Sequence, residues 1–346
     1  MAAQDYYNRD AAKELMDRLA AGPLVAQGPT GSLLVDEAGT ADVPAVFWNI
    51  AEPQALTRMH ALYQMAGADV LITNTFQASA PCLKRDSILQ DYRSVNRAGA
   101  DCALTCSRIT GVPAKLVLGS VGPCGIAWED ADKDEGEEGA KADKEAESAV
   151  HKLAREAYRN QATILLESGV AGVLLETFCS LHDLEPAVTG AVEAAHGMPV
   201  LASFAIDDAC HLLGDGTAIE QACEAARDLG AQAIGVNCCS AYAATQAVPR
   251  MVRAVDLPVM VRPNAGAPTM DQDGCPHWDE DVEGVARASV QWVTDGARLV
   301  GTCCADRHLR HLGRLARLTV VSPVRETRRA GHRWEIDNSV IVLHPC

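Results

Sequence analysis

Leu299-Val-Gly-Thr-Cys-Cys-Ala305 stands near the C-terminal end of the chain, and Ala233-Ile-Gly-Val-Asn-Cys-Cys-Ser240 has the same form earlier on. Each is a short apolar run that passes through a glycine and reaches two adjacent cysteines. Such a run reads as a buried strand delivering a thiol to its C-terminal tip. Two strands of this kind that deliver three thiols to one rim would make a three-sulfur metal site with a fourth position open. That is the layout of a catalytic zinc, whereas a structural zinc closes all four positions. Separated pairs of the CxxC type are absent. From spacing alone the alternative stays open that these are buried free cysteines packing as small hydrophobes.

Outward from these stretches, the alternation of apolar run and helical period covers the chain. Residues 1–22 carry an amphipathic helical pattern closed by Gly22. Pro23-Leu-Val-Ala26 is a short strand. It runs into Gln27-Gly-Pro-Thr-Gly-Ser-Leu-Leu34, whose glycines mark a tight turn with close backbone approach. Its spacing fits neither a Walker A nor a dinucleotide-binding loop. Further strands are expected over 68–76, 114–122, 170–178, 198–204, 233–238, 257–262 and 297–301. Helices are expected over 53–66, 87–109, 149–168, 184–195, 217–229, 241–255 and 282–294. Eight near-continuous apolar strands with mostly short connections imply parallel strands buried on both faces. The predicted fold is therefore α/β, a (βα)8 TIM-type barrel over residues 23–319, with its site at the C-terminal rim of the strands. A doubly wound open sheet is the alternative, but it usually has fewer units.

Two segments fall outside this pattern. Residues 129–147 are charge-rich and mainly acidic, and read as a surface insertion. The tail, 320–346, is basic and then apolar. It reads either as an arm against another subunit, hence a homo-oligomer, or as a packed terminus.

The chain of 346 residues is 48% hydrophobic but only 4% aromatic, so Ala, Val and Leu must fill the core. A formal net charge of −16 argues against a nucleic-acid or anionic-membrane partner, either of which wants a basic face. No apolar run reaches transmembrane length, and the polar start of the chain lacks a signal-peptide core. The expectation is a cytoplasmic protein whose thirteen cysteines are reduced thiols rather than disulfides.

In a barrel, residues at the C-terminal ends of strands build the site. Here these are Gln27, Thr73-Asn-Thr75, Ser120, Glu176-Thr177, Ser203, Cys238, Asn264 and Cys303-Cys304. They contain no Ser-His-Asp order and no convincing carboxylate pair. Glu176 ends an apolar strand, where an unpaired charge is costly. It wants a cationic or donor partner, either a substrate ammonium or an internal salt bridge or backbone contact. Three thiolates on a divalent zinc leave one net negative charge, which favours a soft ligand that binds as a thiolate.

An ordered series of segments sharpens this reading. It comprises Asn49-Ile-Ala-Glu-Pro53 with His60 and Tyr63, Ala66-Gly-Ala-Asp-Val70, Ile72-Thr-Asn-Thr-Phe76, and Asn96 with Ala98. It continues through Gly119-Ser-Val-Gly-Pro123, Tyr158 with Gln161, and Gly169 to Thr177 with its Leu-Glu-Thr. Gly235-Val-Asn-Cys238, Pro263-Asn-Ala-Gly266 and Gly301-Thr-Cys-Cys304 complete it. In this series the chain resembles the homocysteine S-methyltransferase family. That family includes betaine–homocysteine methyltransferase and the homocysteine half of cobalamin-dependent methionine synthase.

The resemblance covers about residues 23–315 and implies the same barrel. It implies zinc (Zn2+) bound by Cys238, Cys303 and Cys304, with Cys239 a neighbour. It also implies that Glu176 contacts the amino group of a thiol amino acid, with Gln27, Gly28, Thr75 and Asn237 among the substrate contacts. The implied reaction moves a methyl group from an activated donor to a small-molecule thiol, homocysteine giving methionine. The donor would be a sulfonium, a quaternary ammonium, or methylcobalamin carried by a separate corrinoid protein. A demethylase-type component acting with such a protein, and a non-catalytic zinc-binding barrel, are the alternatives.

Three positions depart from the family pattern. Its first turn usually reads Asp-Gly-x-x-Gly-Thr, and the Asp helps hold the substrate ammonium. Gln27-Gly-Pro-Thr-Gly-Ser32 stands here instead, so a different thiol is a second expectation. Gly301-Thr-Cys-Cys-Ala305, followed by Asp306, replaces Gly-Gly-Cys-Cys-Gly. The segment 129–147 exceeds what a barrel loop needs and could act as a lid or a docking surface.

Overall fold

A computed structural model describes residues 6–38, 43–108, 115–126, 137–270 and 276–304. Eight strands form one parallel sheet: β1 (Leu24–Val25), β2 (Val70–Ile72), β3 (Leu116–Val121), β4 (Gly172–Phe178), β5 (Val200–Phe204), β6 (Ala233–Asn237), β7 (Val259–Arg262) and β10 (Ala297–Val300). Between β7 and β10 lies an antiparallel hairpin, β8 (Gly266–Met270) and β9 (Pro276–Glu280). The sheet runs β1-β10-β7-β6-β5-β4-β3-β2, and its two edges meet. Ala26 bridges Val70 in parallel, and the Gln27 amide donates to the Val70 carbonyl at 2.8 Å. The Asp69 amide donates to Val25 at 2.7 Å, and the sheet closes into a TIM-like barrel.

The period of two along each strand sorts the side chains. Leu24, Val70, Ile72, Leu118, Leu174, Leu201, Met260 and Leu299 pack together inside the barrel. Their neighbours Val25, Leu71, Val117, Val173, Val200, Val259 and Val300 pack outward among the helices. Interior space is tight: a Cβ added at Gly235 would lie 2.4 Å from the Met260 carbonyl oxygen. The helix Arg9–Ala21 sends Leu15 and Leu19 into the interior cluster. Its Arg18 pairs with Asp69 at 2.7 Å, and Asn8 donates to the Gly169 carbonyl at 3.2 Å. Both partners precede strands, so this helix closes the N-terminal mouth and leaves the opposite rim for the site.

Two of the predicted helices differ in extent. The helix expected over 87–109 starts later, as Tyr92–Ser107, and a separate short helix, Ala80–Arg85, precedes it. Ser79 and Asp91 cap the two starts, and Ser87 between them is left-handed, with φ 56°. The helix expected from residue 149 begins at Glu137 and runs to Ser168, so part of the acidic segment is helical. Glu, Ala and Lys are strong helix formers, which explains this. Residues 129–136, Asp306 and the tail 320–346 lie outside the described residues. The hairpin β8–β9 went unpredicted because its sequence lacks an alternating apolar face. Among the described residues no helix is long and apolar enough to cross a membrane.

Candidate metal centre

The two cysteine stretches meet because their strands are separated only by β7. β6 ends at Asn237, and Cys238 turns the chain in a left-handed conformation, φ 51°. Ser240 then caps the helix Ala241–Ala254 by accepting the Ala243 amide at 2.9 Å. Beyond β10, the Gly301 amide donates to Val261 at 3.0 Å and that of Cys303 to Pro263 at 2.8 Å. The Ala265 amide donates to the Cys304 carbonyl at 2.9 Å, which ties this loop to the one after β7. As a result the sulfurs of Cys238 and Cys303 lie 2.8 Å apart, and all three sulfurs lie within 4.8 Å of one another. A disulfide would need about 2.05 Å. Metal–sulfur bonds of about 2.3 Å would place tetrahedral thiolates about 3.8 Å apart, so a shared ion would spread the Cys238 and Cys303 sulfurs by about 1 Å. Cys239 is buried in the outer core and stands outside the trio.

Asn237 holds the trio in place. Its Oδ1 accepts from the Thr177 amide at 2.9 Å and from Ser203 Oγ at 2.7 Å. Its Nδ2 donates to Thr177 Oγ1 at 2.7 Å and to Cys303 Sγ at 3.5 Å. Thr177 is itself left-handed, φ 68°, so the tips of β4 and β6 are both bent toward each other's partners. The thiols divide their protons unevenly. Hydrogen bonds from Cys238 and then Cys304 hold the Cys303 thiol well below its ordinary range, with Arg262 and Asn237 assisting against burial. Donating to Cys303 and Cys304 pushes Cys238 up, and burial adds to this. Cys304 is also pushed up: its contact with Cys238 opposes the shift, but its bond to Cys303 and its burial outweigh that. Three sulfurs that converge in this way offer a soft donor set to a soft cation.

Next to the trio lies a buried ion pair. Arg262 at the tip of β7 places Nη1 2.5 Å from Glu176 Oε2, and both residues are 6% exposed. Glu176 Oε1 accepts from Ser120 Oγ at 2.5 Å. Burial opposes the Arg262 charge, and the Glu176 carboxylate more than compensates. Arg262 Nε is buried without a partner.

A cavity of about 180 Å³ opens above these groups. Gln27, Glu176, Cys238, Cys303 and Cys304 line it, as do Thr30, Ser32, Thr73 and Arg262. Three other predicted contacts stand behind the lining. Thr75 donates to the Ser120 carbonyl at 2.6 Å, Asn237 is enclosed by the network above, and Gly28 packs against Tyr63 and Thr302. Glu176 has an internal partner, Arg262, and also lines the cavity. Arg262 went unnoticed in the sequence, although it ends an apolar strand as Glu176 does. His60 also has an unforeseen place: fully buried, its Nδ1 lies 3.0 Å from Gln27 Oε1. Burial drops its pKa to about 4, so the ring is neutral.

The family described as homocysteine S-methyltransferase matches residues 24–317. This chain belongs to that family. The cysteine trio lies within the matched residues, grouped closely enough to hold a metal ion. Among its relatives is the homocysteine S-methyltransferase of Escherichia coli, 27% identical over 302 residues, covering 79% of this chain and 90% of the relative. The methionine synthase of Mycobacterium leprae is 28% identical over 327 residues, 90% of this chain. This chain spans only 25% of that relative's length. In fold it is similar to the metallated form of the homocysteine methyltransferase MmuM from Escherichia coli, at a TM-score of 0.67 and 21% identity. That match covers 89% of this chain and 99% of the other.

Proposed function

We propose that this enzyme moves a methyl group from an activated donor to a small thiol, with zinc held by Cys238, Cys303 and Cys304. The observation that carries the reading is the trio of converging sulfurs at the floor of a small cavity, in a chain of this family. The residues suit the ion: the trio is three soft sulfur donors, with none of the carboxylate oxygens that a hard cation would want. When bound, zinc supplies a Lewis acid that favours the thiolate form of an incoming thiol at neutral pH.

The chain's own groups do the rest. Asn237 fixes the Cys303 sulfur and the Thr177 tip, so the trio is preorganised. Arg262, held in place by Glu176, lies close enough to favour the charged form of the Cys303 sulfur. The cavity confines acceptor and donor, and proximity then contributes much of the rate. The acceptor sulfur forms the new S–CH3 bond with its lone pair. The bond from the methyl to the donor's heteroatom breaks, its electrons leave with the donor, and the thiol proton passes to water. A sulfonium or quaternary ammonium meets the need for a good leaving group. Methylcobalamin on a separate corrinoid protein is the further candidate.

Homocysteine, giving methionine, is the acceptor carried by the relatives' names and the first to test. The reduced, zinc-loaded protein should be screened with homocysteine and other small thiols. The donors are S-methylmethionine, S-adenosylmethionine, betaine, dimethylsulfoniopropionate and methylcobalamin. Methylated thiol from one donor, lost in Cys303→Ala, is the expected result. A fully loaded protein that methylates no thiol from any donor contradicts the reading.

A further inference from the structure

Among the described residues lining the cavity, Glu176 is the one carboxylate, and it is already engaged. One oxygen faces Arg262 and the other Ser120, each at 2.5 Å and buried. A substrate ammonium that approached Glu176 would share a carboxylate whose charge Arg262 already offsets. At the tip of β1 the cavity meets an amide. Gln27 Oε1 is occupied by His60 Nδ1, and a neutral ring that bonds there to a carbonyl oxygen must donate. The group left toward the cavity is Gln27 Nε2, 3.1 Å from Thr30 Oγ1.

The remaining polar groups at this wall are donors as well. The helix Gly31–Ala38 begins here, and Gly31 and Ser32 line the cavity, so its first-turn amides, which have no intrahelical partner, open toward it. Ser32 Oγ is buried without a partner. Arg262, more than nine-tenths buried, keeps its Nε unpartnered in the same cavity. The wall thus offers amide, hydroxyl and guanidinium hydrogens, and among the described residues its one carboxylate is already paired.

We infer that the acceptor is a short thiol bearing one anionic group, a carboxylate or a sulfonate, and no ammonium. The inference rests on the methyl-transfer reading and narrows its acceptor. The anionic group would lie against the Gln27 amide and the helix start, and the sulfur would reach the cysteine trio. A zwitterionic amino-acid thiol satisfies the same donors but leaves its ammonium without a counter-charge.

The test compares two thiols that differ only in the ammonium: homocysteine and 4-mercaptobutyrate, with 2-mercaptoethanesulfonate as the sulfonate arm. Binding to the reduced, zinc-loaded protein is measured by calorimetry, and methyl transfer by product formation with the donor found active. The inference expects 4-mercaptobutyrate or the sulfonate to bind at least about tenfold more tightly than homocysteine, a charged contact being involved. It also expects the same order in kcat/KM. Homocysteine binding as tightly or more tightly overturns the inference and leaves methyl transfer to thiols intact. Failure of all three to bind or to be methylated overturns both. Gln27→Asp supplies the missing carboxylate and should move the preference at least about tenfold toward homocysteine. An unchanged ratio contradicts the role given to the Gln27 amide.

Discussion

Glu176 and Arg262 should behave as one unit in stability, and the effect is large enough to measure. Their side chains are 8% and 7% exposed and in direct contact. With charge centres about 4 Å apart and an effective dielectric near 20, the attraction is about 4 kcal/mol. Removing one partner leaves a buried, uncompensated charge, which costs about 3–5 kcal/mol. Arg262→Met and Glu176→Gln should therefore each destabilise the protein by about that amount. The double variant buries no lone charge, and its new side-chain amide can still accept from Ser120, so it should cost only about 1–2 kcal/mol. The coupling between the two sites is then at least about 3 kcal/mol. Urea unfolding of the reduced, metal-free protein, followed by far-UV circular dichroism, gives all four corners of the cycle. Single costs below about 1 kcal/mol, or costs that simply add, would refute the reasoning.

Three further outcomes follow from the same structure. His60 has a pKa of about 4 when folded and an ordinary value of 6.5 when unfolded. Between those values the unfolded chain takes up a proton that the native ring refuses, so stability is lost as pH falls from 6.5 to 4. At about 1.4 kcal/mol per pH unit the loss totals about 3 kcal/mol, and His60→Gln should flatten that part of an unfolding-versus-pH series. Gly235→Ala forces a Cβ to 2.4 Å from the Met260 carbonyl, so about 2–3 kcal/mol should be lost in a denaturant titration. An unchanged midpoint would show that the barrel interior yields there. Cys239→Ala should leave metal stoichiometry unchanged by plasma mass spectrometry, whereas Cys303→Ala should abolish it, since Cys239 packs in the outer core. Equal loss in both would put Cys239 in the coordination shell.

The barrel was legible because its strands are buried on both faces and so appear as continuous apolar runs. All eight expected strands are present. The cysteine trio was legible for a related reason: each Cys-Cys pair directly follows such a run. What the sequence hid was pairing across the rim. Arg262 and Glu176 are 86 positions apart, and neither residue alone says that the other answers it. His60 lies on the inner face of the helix Pro53–Met65 and looks like an ordinary core position until its bond to Gln27 is seen. Thr75 and Asn237 sit at strand tips as expected, but their side chains bond to the neighbouring strands β3 and β4 rather than line the cavity. The missed hairpin, the unpredicted short helix Ala80–Arg85 and the later start at Tyr92 follow from local capping and pairing, which hydrophobic period does not encode.

The central claim is an open three-sulfur zinc site, and X-ray absorption at the zinc edge on the reduced, loaded protein tests it most directly. The account predicts about one zinc per chain with three sulfur neighbours at about 2.3 Å and one lighter atom, the latter replaced by a fourth sulfur when thiol acceptor is added. A protein that takes up no zinc under reducing conditions, or one already holding four sulfurs without acceptor, would contradict it.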